Sequence, residues 1–242
     1  MLLLIDAGNT RIKWALAADG AAPGDWTSTG AATHAELDDL PAGWRHQHIT
    51  RAIVSNVAGA KVRGQLQLML ADTDVTWFAS EPQLAGVRNG YRNPSQLGCD
   101  RFAAAIGARV LEPGKALVVA TCGTATTIDA LSAEGVFLGG MILPGLGLMA
   151  SSLARNTAQL PHIAAGGAVP AGFADNTDDA ILSGCLSAQA GAIEHAFGLL
   201  GASLCILSGG AARYIAPALS VPYRMVDNIV LVGLHAAATS KE

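Results

Sequence analysis

Two stretches of this chain share one construction, and the pair constrains the fold more than any other feature. Each has an apolar run, a turn containing glycine and threonine, and a second stretch that ends in Ala-Leu. The first is "LLLIDAGNTRIKWAL" (2–16), and the second, "LVVATCGTATTIDAL" (117–131), begins 115 positions later. An apolar run, a tight turn and a second run predict paired antiparallel strands. The repetition indicates two related α/β halves that face each other across a cleft.

The rest of the chain alternates between runs of strand length and stretches of helical periodicity. Strands are predicted at 2–5, 11–17, 49–54, 75–79, 117–120 and 204–208. Helices are predicted where Val62, Leu66, Met69 and Leu70 share a face, where Phe102, Ile106 and Val110 share another, and over 180–200. Residues 20–32, rich in Gly, Ala, Pro and Thr, predict a loop. Residues 81–98, full of turn formers, predict a longer loop that joins the halves and carries function.

Composition narrows the class of protein. Of 242 residues, 51% are hydrophobic and 14% are charged, which is typical of a folded globular protein. The net charge of −4 and the lack of a basic run argue against a nucleic-acid partner. No window of about 20 residues stays apolar without Gly, Pro or charge, so we expect no membrane association. The start "MLLLID" lacks the basic residues of a signal peptide, and the four cysteines form no CxxC pair, so we expect a cytoplasmic protein with free thiols.

The first turn, "DAGNT" at 6–10, suits a phosphate. A turn with glycine can direct several backbone N–H groups to one point, where phosphate oxygens bind. Gly8 lets the backbone approach closely, and Asn9 and Thr10 can add side-chain donors. Asp6 would repel a phosphate, but it could hold Mg²⁺ that bridges to one. Alternatively, this is a plain hairpin with its turn at 7–9 in which Asp6 satisfies its own turn, and the turn residues alone do not decide.

A second group of candidates stands in "YRNPSQLGCDRFAAA" (91–105), where Asp100 and Arg101 begin a predicted helix. One interpretation is a carboxylate favoured by the positive end of the helix dipole. The other is a general base beside a cationic anchor, with a substrate hydroxyl on Asp100 and a substrate carboxylate or phosphate neutralised nearby. Spacing by itself favours the structural interpretation.

Four segments together resemble the type III pantothenate kinases, a branch of the sugar kinase, Hsp70 and actin superfamily. They are "DAGNTRIKWAL", "YRNPSQLGCDR", "GTATTID" and "GGMILPGLGLMASSLARNTAQLP". Each segment alone is modest evidence, whereas their order and spacing fit that family over essentially the whole chain. "DNTDDAILSG" and "LSGGAARY" add weaker matches.

The resemblance implies ATP-dependent phosphorylation of pantothenate to 4'-phosphopantothenate, the first step of coenzyme A biosynthesis. It implies an α/β fold of two actin-like (ribonuclease H-like) lobes with a cleft between them, which we place at 1–115 and 116–242. It also implies a homodimer. The expected small-molecule partners are pantothenate and ATP with Mg²⁺.

The resemblance also assigns roles to residues. Asp100 is implied as the base that accepts the hydroxyl proton, and Asp6 as the residue that serves Mg²⁺. The implied ATP-binding residues are Asp6, Ala7, Gly8, Asn9, Thr10, Arg11, Ile12, Lys13 and Thr124. The implied pantothenate-binding residues are Tyr91, Gly98, Cys99, Asp100, Arg101 and Thr177.

One position departs from the family pattern. Many members carry an aspartate two residues before the glycine of the second turn, where it helps to bind a monovalent cation, and this chain has Thr121 there. A threonine offers only a neutral oxygen, so a requirement for K⁺ or NH₄⁺ is in doubt, with binding expected to be weaker or built differently. Asp129 is nearby in the sequence, and we expect it to be a structural hydrogen-bonding residue.

Two other functions stay open from the sequence. One is a non-catalytic member of the same fold that binds ligands as a regulator, which the presence of Asp6, Asp100 and Arg101 disfavours. The other is a related kinase for a sugar or another small alcohol. The segment containing Tyr91 and Gly98–Arg101 favours pantothenate, but only through the resemblance.

Overall fold

A computed structural model describes residues 1–44, 47–156 and 172–240. Its contacts divide the chain into two compact units. The first unit holds residues 1–114, 135–137 and 228–242, and the second holds residues 115–134 and 138–227. The structure contains two sheets, one of five strands in the first unit and one of seven strands.

The first unit contains a sheet with the strand order β3-β2-β1-β4-β5. β1, β2 and β3 are antiparallel neighbours, while β4 and β5 run parallel to β1. These strands are β1 Leu2–Ala7, β2 Arg11–Ala17, β3 Ser28–Thr33, β4 Arg51–Asn56 and β5 Asp74–Trp77. The other elements of this unit are a 3₁₀ helix His34–Gly43, α1 Ala60–Met69, β6 Gln83–Leu84, β7 Val87–Asn89, a 3₁₀ helix Pro94–Gln96 and α2 Cys99–Leu111.

The second unit repeats that topology. Its elements are β8 Leu117–Cys122, β9 Ala125–Leu131, β10 Val136–Pro144, α3 Leu146–Asn156, α4 Thr177–Leu200, β11 Leu204–Ser208, α5 Ala212–Ile215, a 3₁₀ helix Ala216–Ala218 and β12 Tyr223–Met225, except that the first two residues of β10 belong to the first unit. The seven-stranded sheet has the order β6-β7-β10-β9-β8-β11-β12, and its last five strands match β3-β2-β1-β4-β5 strand for strand. β8 pairs antiparallel with β9 and parallel with β11. The repeated hairpins therefore start two copies of one α/β arrangement.

The last helix, α6 Ile229–Thr239, packs against α2 in the first unit. Glycines permit this close approach: a Cβ on Gly233 would overlap the carbonyl oxygen of Ala103, and a Cβ on Gly107 would lie 2.6 Å from that of Ile229. This packing holds α2 firmly, and the residues at the start of α2 are candidates for function. The predicted lobe limits, 1–115 and 116–242, had placed this C-terminal segment with the second lobe.

Several sequence predictions need correction. Residues 20–32 were expected to be loop, but residues 28–32 lie in β3, whose "STGAAT" lacks an apolar run because it is half-exposed and pairs only with β2. The first turn occupies residues 8–10 instead of 7–9, since β1 continues to Ala7. Val110 is 42% exposed, because the buried face of α2 ends at Ala108. The loop at 81–98 contains β6, β7 and a 3₁₀ helix, all in the first unit.

Within the described ranges, no helix has both the length and the apolar character needed to cross a membrane.

Candidate active site

The first hairpin places a carboxylate at the carboxyl end of a buried strand. Asp6 is 9% exposed and lies in register with Lys13 on β2 and with Ser55 on β4. The turn is closed by the Gly8 N–H, which donates to the Arg11 carbonyl over 3.1 Å. Gly8 has no left-handed backbone, and a Cβ there would lie 3.2 Å from the Arg11 oxygen, so close approach is what favours glycine.

The surroundings of Asp6 disfavour its negative charge. The pKa of Asp6 is raised to about 6: burial is the main cause, the Lys13 ammonium opposes the rise, and the Asp100 carboxylate adds to it. Lys13 therefore offsets only part of the free-energy cost of burying the ionised carboxylate. A cation bound beside Asp6 would offset the remainder. In the described residues, no group of three or more His, Cys, Asp or Glu side chains could hold a metal. A single carboxylate is enough for Mg²⁺ in a nucleotide site, because the protein supplies one or two carboxylates there and water and phosphate oxygens complete the coordination.

The start of α2 lies beside the ends of β1 and β4. Ser55 Oγ, on β4 and in register with Asp6, is 3.4 Å from Cys99 Sγ, the first residue of α2. Burial raises the pKa of the Cys99 thiol, so this side chain stays neutral and packs. The Ser55–Cys99 contact therefore brings Asp100 into the electrostatic neighbourhood of Asp6.

Asp100 is half-buried in the first turn of α2. Its Oδ1 accepts a hydrogen bond from the Arg101 N–H over 2.9 Å. Burial raises the pKa of Asp100, while that hydrogen bond and the Arg101 charge lower it. A Cβ on Gly98 would lie 2.7 Å from Oδ1, so glycine before the helix leaves room for the carboxylate. The group can accept a hydrogen bond from a hydroxyl and take up its proton.

Arg101 is fixed beside Asp100 by two aromatic rings. Its Nη1 donates to the Tyr91 hydroxyl over 2.8 Å, and its guanidinium carbon lies 5.7 and 5.6 Å from the ring centres of Tyr91 and Phe137. The Asn89 side chain accepts from the Tyr91 N–H and donates to the Pro94 carbonyl, each over 3.1 Å. Arg101 as a whole residue is 7% exposed, and a guanidinium held in this way is a preorganised anion partner.

Sequence reasoning missed Phe137 and Asn89. Phe137 is fully buried at the start of β10, where it pairs with Asn89 of β7. The Asn89-Gly90 pair was a turn signal, and a Cβ on Gly90 would overlap the Phe137 carbonyl oxygen. No local pattern joins residues so far apart in the sequence.

The ATP-binding residues that the resemblance implies differ in the solvent exposure of their side chains. Ala7 and Ile12 are fully buried in strands, so only their backbone could face a ligand. The side chains of Asn9, Thr10 and Arg11 are exposed, and Lys13 is half-buried. A nucleotide could therefore contact three exposed side chains and the backbone of the turn. Asp6 and Lys13 are less exposed and lie on the strands that flank the turn.

The second unit has the corresponding turn with neutral residues. Thr121 is in register with Thr127 on β9 and Ser208 on β11, and its Oγ1 is buried without a hydrogen-bond partner among the described residues. Thr124 is exposed, and its carbonyl accepts the Gly145 N–H over 2.9 Å. This turn offers oxygen atoms and no carboxylate at the position of Asp6.

Thr177, implied in pantothenate binding, is the first residue of α4 and is exposed. The helix start is capped by Asn176, whose side chain accepts the Asp179 N–H over 3.0 Å. Asp129, expected to be structural, is 1% exposed on β9. Of the implied ATP- and pantothenate-binding residues, Thr124 and Thr177 thus lie in the second unit and the others lie in the first.

Comparisons with known proteins connect this geometry to a family. The family model for type III pantothenate kinases matches residues 2–198. A type III pantothenate kinase from Herminiimonas arsenicoxydans is 57% identical over 251 residues, covering 98% of this chain and 97% of the relative. This chain belongs to the type III pantothenate kinase family.

Solved structures agree with the fold of this type III pantothenate kinase family member. A Campylobacter jejuni protein, proposed to be a Baf family transcriptional activator, has a TM-score of 0.63 at 20% identity, with 96% of this chain and 95% of that chain covered. A Sinorhizobium meliloti protein, proposed to be a 2-dehydro-3-deoxygalactonokinase, has a TM-score of 0.60 at 17% identity, with 98% of each covered. With the repeated strand order, these likenesses confirm the predicted α/β actin-like fold.

Proposed function

We propose that this chain transfers the γ-phosphoryl group of ATP to the primary hydroxyl of pantothenate, giving ADP and 4'-phosphopantothenate in the first step of coenzyme A biosynthesis. Family membership supports the reaction. The observation that carries the mechanism is the coupling of two carboxylates, Asp6 at the end of β1 and Asp100 at the start of α2. One can serve a cation on the phosphates, and the other can serve the hydroxyl.

The first turn would bind the phosphates of ATP. Its backbone N–H groups, with the side chains of Asn9, Thr10 and Arg11, would surround phosphate oxygens. Asp6 would hold Mg²⁺, which supplies charge neutralisation on the phosphates when it is bound. Lys13, opposite Asp6 in the β1–β2 register, adds a positive charge behind the turn. We also propose Thr124 as an ATP-binding residue, as the resemblance implies.

Asp100 would orient the hydroxyl of pantothenate. An Asp100 oxygen accepts the hydroxyl hydrogen bond, and the proton moves to that carboxylate as the oxygen attacks phosphorus. Since phosphoryl transfer relies on positioning and charge neutralisation, Asp100 need not be strongly basic. Burial still raises the pKa of Asp100, which suits proton acceptance.

The Tyr91–Arg101 pair would bind the other end of pantothenate. The guanidinium is held by Tyr91 and Phe137, so it can neutralise the pantothenate carboxylate without losing much side-chain freedom. We also propose Gly98, Cys99 and Thr177 as pantothenate-binding residues, as the resemblance implies.

Three further expectations stay predictions: a homodimer and a monovalent cation, which the resemblance implies, and a cytoplasmic location, which rests on the cysteine pattern and the N-terminal sequence. The Thr121 Oγ1, which has no hydrogen-bond partner among the described residues, would offer K⁺ or NH₄⁺ a neutral ligand. We expect weaker dependence on these cations than an aspartate at that position would give.

The test is ADP formation by the purified protein with ATP and Mg²⁺, with pantothenate or a panel of sugars as acceptors, and with or without K⁺. We expect ADP with pantothenate and equimolar 4'-phosphopantothenate by mass spectrometry. ADP formed with a sugar and not with pantothenate would favour the related-kinase alternative. Binding of pantothenate without ADP would favour the regulator.

A further inference from the structure

The first turn makes a side-chain hydrogen bond to a residue outside the hairpin, and no sequence motif indicates it. His34 Nε2 lies 2.9 Å from the carbonyl oxygen of Gly8. A carbonyl oxygen can only accept, so Nε2 carries the proton and donates. His34 is half-buried and is the first residue of the 3₁₀ helix His34–Gly43. The contact joins the turn to an element outside the hairpin.

The sheet explains why His34 reaches the turn. β2 and β3 are antiparallel, and Arg11 at the start of β2 pairs with Thr33 at the end of β3. The next residue, His34, therefore lies level with the turn. Its helix start is fixed by a capping box, in which the N–H and hydroxyl of Thr33 each donate to the Glu36 carboxylate over 2.9 Å.

This hydrogen bond fixes the direction of a backbone donor. In a planar trans peptide, the carbonyl and the following N–H point in opposite directions. Because the Gly8 carbonyl points to His34, the Asn9 N–H points away from the 3₁₀ helix. The Gly8 N–H is already used by the Arg11 carbonyl, whereas the Asn9 N–H makes no hydrogen bond within the described part of the chain. The Asn9 N–H is thus available to a ligand, and its aim depends on His34.

We propose that His34 is a positioning residue for nucleotide phosphate: it locks the Gly8–Asn9 peptide so that the Asn9 N–H faces a phosphate oxygen of ATP. This inference rests on the proposed function and adds a residue to its ATP site. Glycine at position 8 leaves the peptide rotationally free, so an external lock is needed. His34 touches neither the reacting atoms nor pantothenate in this account.

The test is a set of variants in which KM for ATP, KM for pantothenate and kcat are measured separately. We expect His34→Ala to raise the KM for ATP about 3- to 10-fold, the loss of one ordinary hydrogen bond. We expect kcat and the KM for pantothenate to change less than 2-fold. His34→Gln should restore the KM for ATP, because its side-chain amide N–H₂ reaches the position of Nε2. His34→Asn, whose amide stops near Nδ1, should not restore it.

Glu36→Ala is the matched control, because it breaks the capping box of the same 3₁₀ helix without removing the contact with Gly8. We expect a lower melting temperature and an unchanged KM for ATP. The proposal is overturned if Glu36→Ala raises the KM for ATP as much as His34→Ala does, if His34→Gln fails to restore it, or if the KM values for ATP and pantothenate rise together.

Calorimetric titration with Mg·ATP separates this proposal from the function on which it rests. A wild-type protein that binds Mg·ATP but phosphorylates no pantothenate would contradict the proposed function. The affinity for ATP would then report on His34, with the same 3- to 10-fold loss expected in His34→Ala. A wild-type protein that binds no ATP would overturn both proposals.

Discussion

The two hairpin turns have the same topology and different chemistry. In the first, Asp6 faces Lys13 across the hairpin, and in the second Thr121 faces Thr127. Each preceding strand also runs parallel to a strand with a serine in register, on β4 or on β11. The repeated fold therefore supplies two similar frames, and charge is concentrated in only one of them.

The turns are also held differently. A carbonyl of the first turn accepts from the side chain of His34, whereas the Thr124 carbonyl of the second accepts from the backbone of Gly145. The second turn packs so closely against two other backbone segments that only glycine fits there. A Cβ on Gly145 would overlap the Gly123 oxygen, and a Cβ on Gly209 would overlap the Cys122 oxygen. The first turn is thus held by a side-chain hydrogen bond, and the second by close backbone packing. Substitutions in the two turns should therefore differ in their effects on activity and stability.

The largest expected difference concerns activity. Asp6→Asn should lower kcat/KM for Mg·ATP by about 10²- to 10³-fold, because it removes the carboxylate proposed to serve Mg²⁺. Thr121→Val, the corresponding change in the second turn, removes only a neutral oxygen and should cost less than about 10-fold. Initial rates over a range of Mg²⁺ concentrations check both variants. Equal losses would contradict the larger role assigned to the charged turn.

The next difference concerns stability. Gly145→Ala should destabilise the protein by about 3 kcal/mol or more, because its Cβ would overlap backbone that cannot move away. Gly8→Ala should cost about 1 kcal/mol, since the Arg11 oxygen has to give way only slightly. Urea unfolding measures both changes.

The control for these glycine variants is Gly147→Ala, two residues further on in α3. A Cβ there meets nothing within 4 Å, and alanine favours helix, so this variant should be neutral or slightly stabilised. A Gly145→Ala variant as stable as Gly147→Ala would contradict the packing described for the second turn.

A third difference depends on pH. The pKa of Asp6 is raised from 3.8 to about 6, so the folded protein binds more protons than the unfolded chain between these values. Stability therefore falls as the pH rises through that window, by about 2 to 3 kcal/mol from this group. Asp6→Asn should be close to the wild type near pH 4 and more stable above pH 7 without ligand. Thr121→Val should show no such pH-dependent difference from the wild type, as urea titrations at several pH values would reveal.

The smallest expected effect concerns the monovalent cation. Thr121→Asp places a carboxylate in the second turn at the position that matches Asp6. Activity of this variant should rise a few-fold more with added K⁺ or NH₄⁺ than that of the wild type, because a charged oxygen binds a cation more strongly than a hydroxyl does. Assays in Na⁺ buffer with K⁺ or NH₄⁺ added provide the measurement. A wild type that already depends strongly on K⁺ would contradict the weak neutral site at Thr121.

The features that the sequence predicted are those set by residues close together in the chain. The two hairpins followed from local apolar runs and turn residues, and the segment containing Asp100 and Arg101 followed from its motif. β3 was missed because its pairing with β2, and not its own sequence, makes it a strand, and His34 was missed with it. Phe137 was missed because it meets Tyr91 and Arg101 only after β10 has paired with β7. Long-range pairing, which single-sequence patterns do not contain, accounts for these misses.

The most direct test of the account is a comparison of wild-type protein with Asp100→Asn under saturating ATP, Mg²⁺ and pantothenate. Calorimetry would follow the binding of ATP and pantothenate, and mass spectrometry would follow 4'-phosphopantothenate. We expect pantothenate-dependent product from the wild type, and ATP binding with turnover reduced at least 100-fold in Asp100→Asn. Turnover that is unchanged in Asp100→Asn would remove this carboxylate from the mechanism and contradict the site described at the start of α2.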